Sequence, residues 1–335
     1  AIMLMDEVTT KWGFGSGVSL FIGAGVSWQL ITSAFQFIDQ QGRNCLLNFS
    51  GTACPGKVFV FVQSIVNQAP IEALSAGAAI IVTALIFLLV VWAQSLKVEI
   101  PLSFGRIRGY TVKWPLSFFY ASVIPVILTA ALVANVQLFG GLIESGSQSC
   151  INTNGLVDRT LESCNGFTKI ISYFLFLGRF VDGQPISGFA FWIGSTNLVD
   201  LAIRGEIASR YIIQALLHTL FFTIFSVLFA VFWVKTSGMD AQGQSHKIMS
   251  SGLQISGFRQ DERVLESVLN RYIIPLTVMG GIAIGLLASL TNMLSALVSG
   301  TAILLVIMIF YQFYQSIAQQ HVTDMNPAFK KFMSK

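Results

Sequence analysis

The stretch "LSAGAAIIVTALIFLLVVWAQSL", Leu74 to Leu96, carries no charge, and "KVEIPLSFGRIRGYTVKWP", Lys97 to Pro115, follows it with Lys97, Arg106, Arg108 and Lys113. A helix needs about 20 apolar residues to cross a bilayer. It also satisfies its own backbone where lipid offers no partner. The first stretch therefore reads as a membrane span and the second as a basic loop at its aqueous end.

The same alternation continues in both directions. Trp12 to Ile38, Trp114 to Ile143 and Tyr272 to Gln320 are uncharged, the last long enough for two crossings, and Tyr211 to Val234 holds only His218. Six spans are expected, near 17–37, 75–94, 117–139, 211–234, 272–291 and 296–316. Helices buried in a large soluble protein are shorter and amphipathic. A chain that is 54% hydrophobic and 11% charged, with a mean hydropathy of +0.70, does not fit that pattern. The expected fold class is an all-α polytopic membrane protein with a cytoplasmic β-hairpin-like loop. The opening "AIMLMDEV" reads like the tail of an earlier apolar segment, so a front part is expected to be missing.

Lys and Arg near helix ends set orientation. One side collects the cations of 97–113, Lys235, Lys247, Arg259, Arg263 and Arg271, and the tail Lys330, Lys331 and Lys335. The other side spreads Arg43, Lys57, Arg159, Lys169, Arg179, Arg204 and Arg210 over longer loops, so the first side is expected to be cytoplasmic. All four cysteines fall in the outside loops. Disulfides persist in oxidising compartments, and the pairs Cys45–Cys54 and Cys150–Cys164 are favoured over four free thiols. Asn48, in "NFS", opens an N-glycosylation acceptor pattern on the same side.

Within the basic loop, "KVEIP" and "YTVKW" read as extended, with "GRIRG" turning between them. Its charge has two readings: a topology signal that meets anionic lipid, or a docking finger in which arginine's planar fork grips phosphate or carboxylate. In 235–271, "GLQISGF" reads as extended or turn-like and "DERVLESVLNRY" as an amphipathic helix. "FTKIISYFLFLGRF", in the long outside loop 140–210, reads as an interfacial piece too short to span. Pro125, read as lying inside a span, is expected to bend it by removing a backbone donor.

No metalloprotease, phosphate-loop or metal-spaced Cys/His motif occurs, so no catalytic residue, cofactor or metal site is expected. His218 stands alone in "QALLHTLFF", and packing is its simpler role. The spans hold amides (Gln29, Gln94, Asn135, Gln137, Asn292 and Gln312 among them) but almost no charge. Charges inside a membrane usually mark ion or proton paths. A small-solute secondary transporter, which needs a polar site at midplane, is therefore the lesser alternative; a scaffold without a conducting role is a third.

Several stretches resemble one family in order along nearly the whole chain: "MDEVTTKWGFGSGVSLFIGAGVS", "VEIPLSFGRIRG", "YASVIPVILTAALVANVQLFG", "ISGFRQDERVLESVLNRYIIPLTVM" and "HVTDMNPAFKKF". They resemble SecY, the pore subunit of the Sec protein-conducting channel, most closely its archaeal form. The family has ten membrane helices in two pseudo-symmetric halves. The resemblance implies that this chain is one membrane domain, 1–335, lacking the first four helices: 1–37 matches the end of the fourth helix and the fifth, and 75–335 the second half. It implies a channel subunit, not an enzyme, that passes unfolded chains across the membrane and releases membrane segments sideways into lipid.

The family's apolar pore ring matches Val18, Ile22, Ile127 and Leu305. Its lateral gate wall matches Ser122, Val123 and Pro125; archaeal members usually carry asparagine at the position of Val123. Its ribosome-docking tips match Arg106, Arg108, Lys113 and Arg259. The implied partners are SecE, a Sec-beta subunit, a translating ribosome met through RNA phosphates, the passing polypeptide and membrane lipid, at the cell membrane.

Overall fold

The computed structural model describes residues 6–8, 17–38, 42–45, 54–104, 111–121, 124–147, 177–181, 184–250, 253–255 and 261–325. These form two compact units: one of Ala1–Ile100, Pro115–Phe118 and Ser295–Lys335, the other of Pro101–Trp114 and Phe119–Leu294.

The first unit holds α1 (Gly17–Phe35), α2 (Lys57–Val66), α3 (Pro70–Ser95) and α10 (Gly300–Met325). Pro70 sits in the first turn of α3, where its missing N–H costs nothing, and Glu72 suits the positive end of the helix dipole. The helix stops where Leu96 turns extended, at φ −71° and ψ 120°. Val90 and Leu304 are fully buried where α3 and α10 pack. Thr83 fastens that packing: its hydroxyl donates to Ala79 O at 2.7 Å and accepts from the Leu297 N–H at 3.0 Å.

α2 lies within the outside loop 38–73, which the sequence reading left without an element. Its position is explained by a corner of short links. Cys45 and Cys54 form a disulfide. The Cys45 N–H donates to Phe37 O at 3.1 Å, the Gly56 N–H to Gln36 O at 2.9 Å, and the Cys54 N–H to Gln63 Oε1 at 3.2 Å. A Cβ on Gly56 would stand 2.7 Å from the Gln36 backbone, so only glycine fits there. The second expected pair, Cys150–Cys164, and Asn48 lie outside the described residues.

The second unit holds α4 (Ile124–Ser147), β3 (Arg179–Val181), β4 (Gln184–Ser187), α5 (Phe189–Ile193), α6 (Leu198–Arg204), α7 (Ser209–Thr236), α8 (Ala241–Ser250), β5 (Leu253–Ile255) and α9 (Glu262–Met293). β1 (Lys97–Phe104) and β2 (Thr111–Ser117) are each divided between the two units. Residues 167–176 of "FTKIISYFLFLGRF" lie outside the described residues, and its end, Arg179 and Phe180, is strand.

Among the described residues, five helical stretches are long and apolar enough to cross a membrane: Pro70–Ser95, Ile124–Ile143, Ser209–Ser250, Glu262–Met293 and Gly300–Ala318. Ser19–Phe35 is apolar but shorter. The third span begins at Ile124, not near 117, because strand and turn occupy 111–121. Pro125 thus lies in the first turn of α4, where a helix has no donor to lose. The amphipathic segment after Asp261 and the span behind it are one helix, α9, 32 residues long and running through Pro275. Asp261 caps it, accepting from the Arg263 N–H at 3.1 Å.

The core of the second unit is the seam of α7 and α9. Leu269, Ile273, Ile284 and Phe222 are all buried there. Lipid tails are as apolar as leucine, so close packing and hydrogen bonds hold such helices together. Gly281 and Gly285 supply the closeness: a Cβ on Gly281 would stand 3.1 Å from Val227 Cα, and one on Gly285 would stand 3.0 Å from Thr223 Cα. The Ser226 hydroxyl crosses the seam to Gly281 O at 3.1 Å.

Candidate functional site

On the basic side, β1 and β2 are neighbours in a three-stranded sheet ordered β2–β1–β5. Strands joined by so short a connection pair antiparallel, so the expected hairpin is present. Its third strand comes from the other basic loop: Leu102 pairs with Ile255, Ser103 with Gln254 and Phe104 with Leu253, antiparallel. The two basic loops are therefore one piece of secondary structure. β5 runs back toward the start of β1, so its Leu253 end, not its Ile255 end, stands level with the hairpin's outer end. Lys113 lies on β2, whereas Arg106, Arg108 and Arg259 lie outside the described residues.

Beneath this sheet Tyr120 is 6% exposed, and its hydroxyl donates to Met239 O at 2.5 Å. Burial, and secondarily the charge of Asp240, push its phenol up to about 12, so it remains a donor at any pH a cell reaches. Asp240 in turn caps α8, accepting from the Gly243 N–H at 3.1 Å. α8 packs on both β5 and α9.

α4 and α7 are the helices that the resemblance places in a gate wall, and they pack on each other. In the N-terminal half of α7 two side chains seize the short helix α5. Gln214 Nε2 donates to Phe191 O at 2.8 Å. His218 Nδ1 lies 2.7 Å from Ile193 O; a carbonyl only accepts, so Nδ1 carries the proton. The expected packing role of His218 therefore includes anchoring a loop, and its ring also lies against Phe222. Gln137 of α4 reaches the same corner, since a Cβ on Gly194 would stand 3.2 Å from its Nε2. Gln214 escaped the sequence reading, although its i, i+4 spacing from His218 was visible.

Of the expected ring, Ile22 on α1 is 41% exposed and Ile127 on α4 is 40% exposed. Leu305 on α10 is half-buried, and Val18 belongs to α1. α1 and α10 cross at Gly23, whose Cβ would stand 3.2 Å from Ile309 Cγ2. The crossing brings Ile22 and Leu305 within one helical turn of the same contact. Ser122 and Val123 lie outside the described residues; Pro125 is buried at the start of α4. Among the described residues no group of three His, Cys, Asp or Glu side chains could hold a metal ion.

The SecY family profile matches residues 1–314. The protein translocase subunit SecY of Methanocaldococcus jannaschii is 34% identical over 337 residues, covering 100% of this chain and 65% of that protein. SecY of Methanococcus vannielii is 31% identical over 334 residues, again covering 100% of this chain and 65% of that protein. The chain thus spans slightly less than two thirds of these relatives. A solved structure described as that of a protein conducting channel superposes with a TM-score of 0.70 at 33% identity, covering 98% of this chain and 64% of that one. Sec61 in a canine ribosome–channel complex from the endoplasmic reticulum gives 0.65 at 32%, covering 98% and 64%. With its membrane helices, its paired basic loops and a profile match over nearly its whole length, the chain belongs to the SecY family.

Proposed function

We propose that this chain is the part of a protein translocation channel that supplies one gate wall, much of the pore and the cytoplasmic docking face. Unfolded secretory chains would cross the membrane past Val18, Ile22, Ile127 and Leu305, and membrane segments would leave sideways along α4 and α7. The observation that carries this reading is the likeness to a protein conducting channel, at 33% identity and a TM-score of 0.70 over 98% of the chain. The residue types support it chemically: apolar rings gate water by dewetting, and Val18, Ile22, Ile127 and Leu305 are all aliphatic.

The reading extends to the partners. SecE and a Sec-beta subunit accompany the chain in one membrane domain, and no reaction is catalysed. A translating ribosome docks on the sheet side, with Arg106, Arg108, Lys113 and Arg259 meeting RNA phosphates. That side and the C-terminus face the cytoplasm of the cell membrane. The Cys45–Cys54 disulfide, together with Cys150, Cys164 and Asn48, faces outward.

A stalled polypeptide tests the pore. Single cysteines at Ile22, Ile127 and Leu305, in the complete complex, are expected to crosslink to a chain halted in transit, and cysteines at Leu88 and Leu220, exposed but outside the ring, are not. Absence of crosslinks at all three ring positions removes the pore assignment.

A further inference from the structure

The basic sheet of the second unit is fastened to its membrane helices at a buried hydroxyl. Tyr120 stands in the turn that leads into α4, and its O–H donates to Met239 O. Met239 is not a free turn residue. Its own N–H donates to Val234 O at 3.2 Å, and Gly238 before it has φ +66°, the pattern that closes a helix C-terminus. The carbonyl that Tyr120 holds is therefore a rigid extension of α7. The next residue, Asp240, caps α8, α8 packs on β5, and β5 is paired with β1. Sheet, end of α7 and approach to α4 all meet at this one bond.

Beyond Met239, the start of α8 has room to shift. A cavity of about 520 Å³ lies behind it, with Asp240 and Gln242 on one side and Glu266 and Asn270 of α9 on the other. A solidly packed turn would resist displacement, because protein interiors are dense and stiff. With that cavity beside the start of α8, the bond from Tyr120 to Met239 O is a direct route for force between the turn into α4 and the end of α7.

We propose that Tyr120 is a positioning residue that carries a displacement of the β2–β1–β5 sheet into the facing ends of α4 and α7. This rests on the reading of the sheet side as the ribosome-docking face. Tyr120 does not touch the partner; it sets where the gate wall stands once the partner is bound. Phenylalanine at this position keeps the buried ring and deletes only the bond. One hydrogen bond has a net worth that corresponds to a factor of about five in an equilibrium.

The test compares the parent and Tyr120→Phe in the complete complex, with translating ribosomes as the probe. Ribosome affinity is read by co-sedimentation, and amide exchange is read at Leu253–Ile255, at the start of α4 and at the end of α7. The parent is expected to bind and to change its exchange at both helix ends on binding. In Tyr120→Phe, affinity should stay within about twofold and Leu253–Ile255 should keep its protection. The ribosome-induced change at the helix ends should be lost, and translocation should fall about fivefold. An unchanged exchange response in Tyr120→Phe overturns the proposal while leaving docking intact. A parallel loss of affinity and of Leu253–Ile255 protection also overturns it, because Tyr120 would then only fold the sheet. A parent that does not bind ribosomes takes down the docking reading and the proposal together.

Discussion

Gly281 and Gly285 show how a missing side chain can hold two helices. Both face α7 at backbone distance, and the atoms opposite Gly285 include Thr223 Cα, which cannot rotate aside. Gly285→Val should force the helices apart and cost about 1–3 kcal/mol, the usual size of an overpacking penalty. The expected result is a lower thermal midpoint of the purified complex in detergent. Gly141→Ala is the control, since a Cβ there meets nothing within 4 Å and should leave the midpoint unchanged or slightly raised. Equal midpoints for Gly285→Val and the parent would contradict the seam described here. The GxxxG spacing of "GIAIG" was legible in the sequence. That its partner is α7, with Ser226 bonded to Gly281 O, was not. Pro125 makes the converse point: its chemistry was known, but its effect depended on whether it fell in the first turn or the middle of a helix.

At the scale of elements, the corner between α1 and α2 depends on a short covalent loop. Cys45 and Cys54 are separated by 9 positions. Closing a loop of this size removes unfolded-chain entropy worth about 2–3 kcal/mol. Cys45→Ser, or reduction of the parent, is expected to lower the denaturation midpoint and to raise protease cleavage between α1 and α2. A reductant that changes neither would mean that the backbone bonds of Gly56 and Cys45 hold the corner alone. The pairing was legible because both cysteines sit in one outside loop. The helix inside that loop was not, since "KVFVFVQSIV" is apolar and β-branched and reads equally as strand. β5 falls in "GLQISGF", which reads as extended or turn-like, but its pairing was hidden: three residues carry too little pattern to name a partner, and that partner lies about 150 positions away in sequence.

For the whole molecule, charge placement governs the encounter with a polyanion. Binding that releases counterions from RNA weakens steeply with salt, and each phosphate contact adds about one to the magnitude of the log–log slope. Arg106→Glu and Arg259→Glu are each expected to weaken ribosome co-sedimentation and to lower that slope by about one. Because the two loops share a sheet, the double change Leu253→Pro and Gln254→Pro, one of which must delete a donor to β1 since alternate N–H groups face it, should also weaken binding without touching an arginine and leave the slope nearly unchanged. Full affinity in all three variants at physiological salt would remove the docking face from this side of the molecule.

The sequence by itself determined the class of molecule, the positions of its spans to within several residues and the family. These rest on local quantities: uncharged runs matched to bilayer thickness and motifs read in order. Tertiary structure alone decided that the two basic loops form one sheet, that Tyr120 pins that sheet to α7, that Gln214 and His218 anchor α5, and that α9 is a single helix through Pro275. Each of these joins residues distant in the chain, or depends on neighbours that stabilise a locally unfavourable choice. A local pattern records what a segment can bury, not what it buries against.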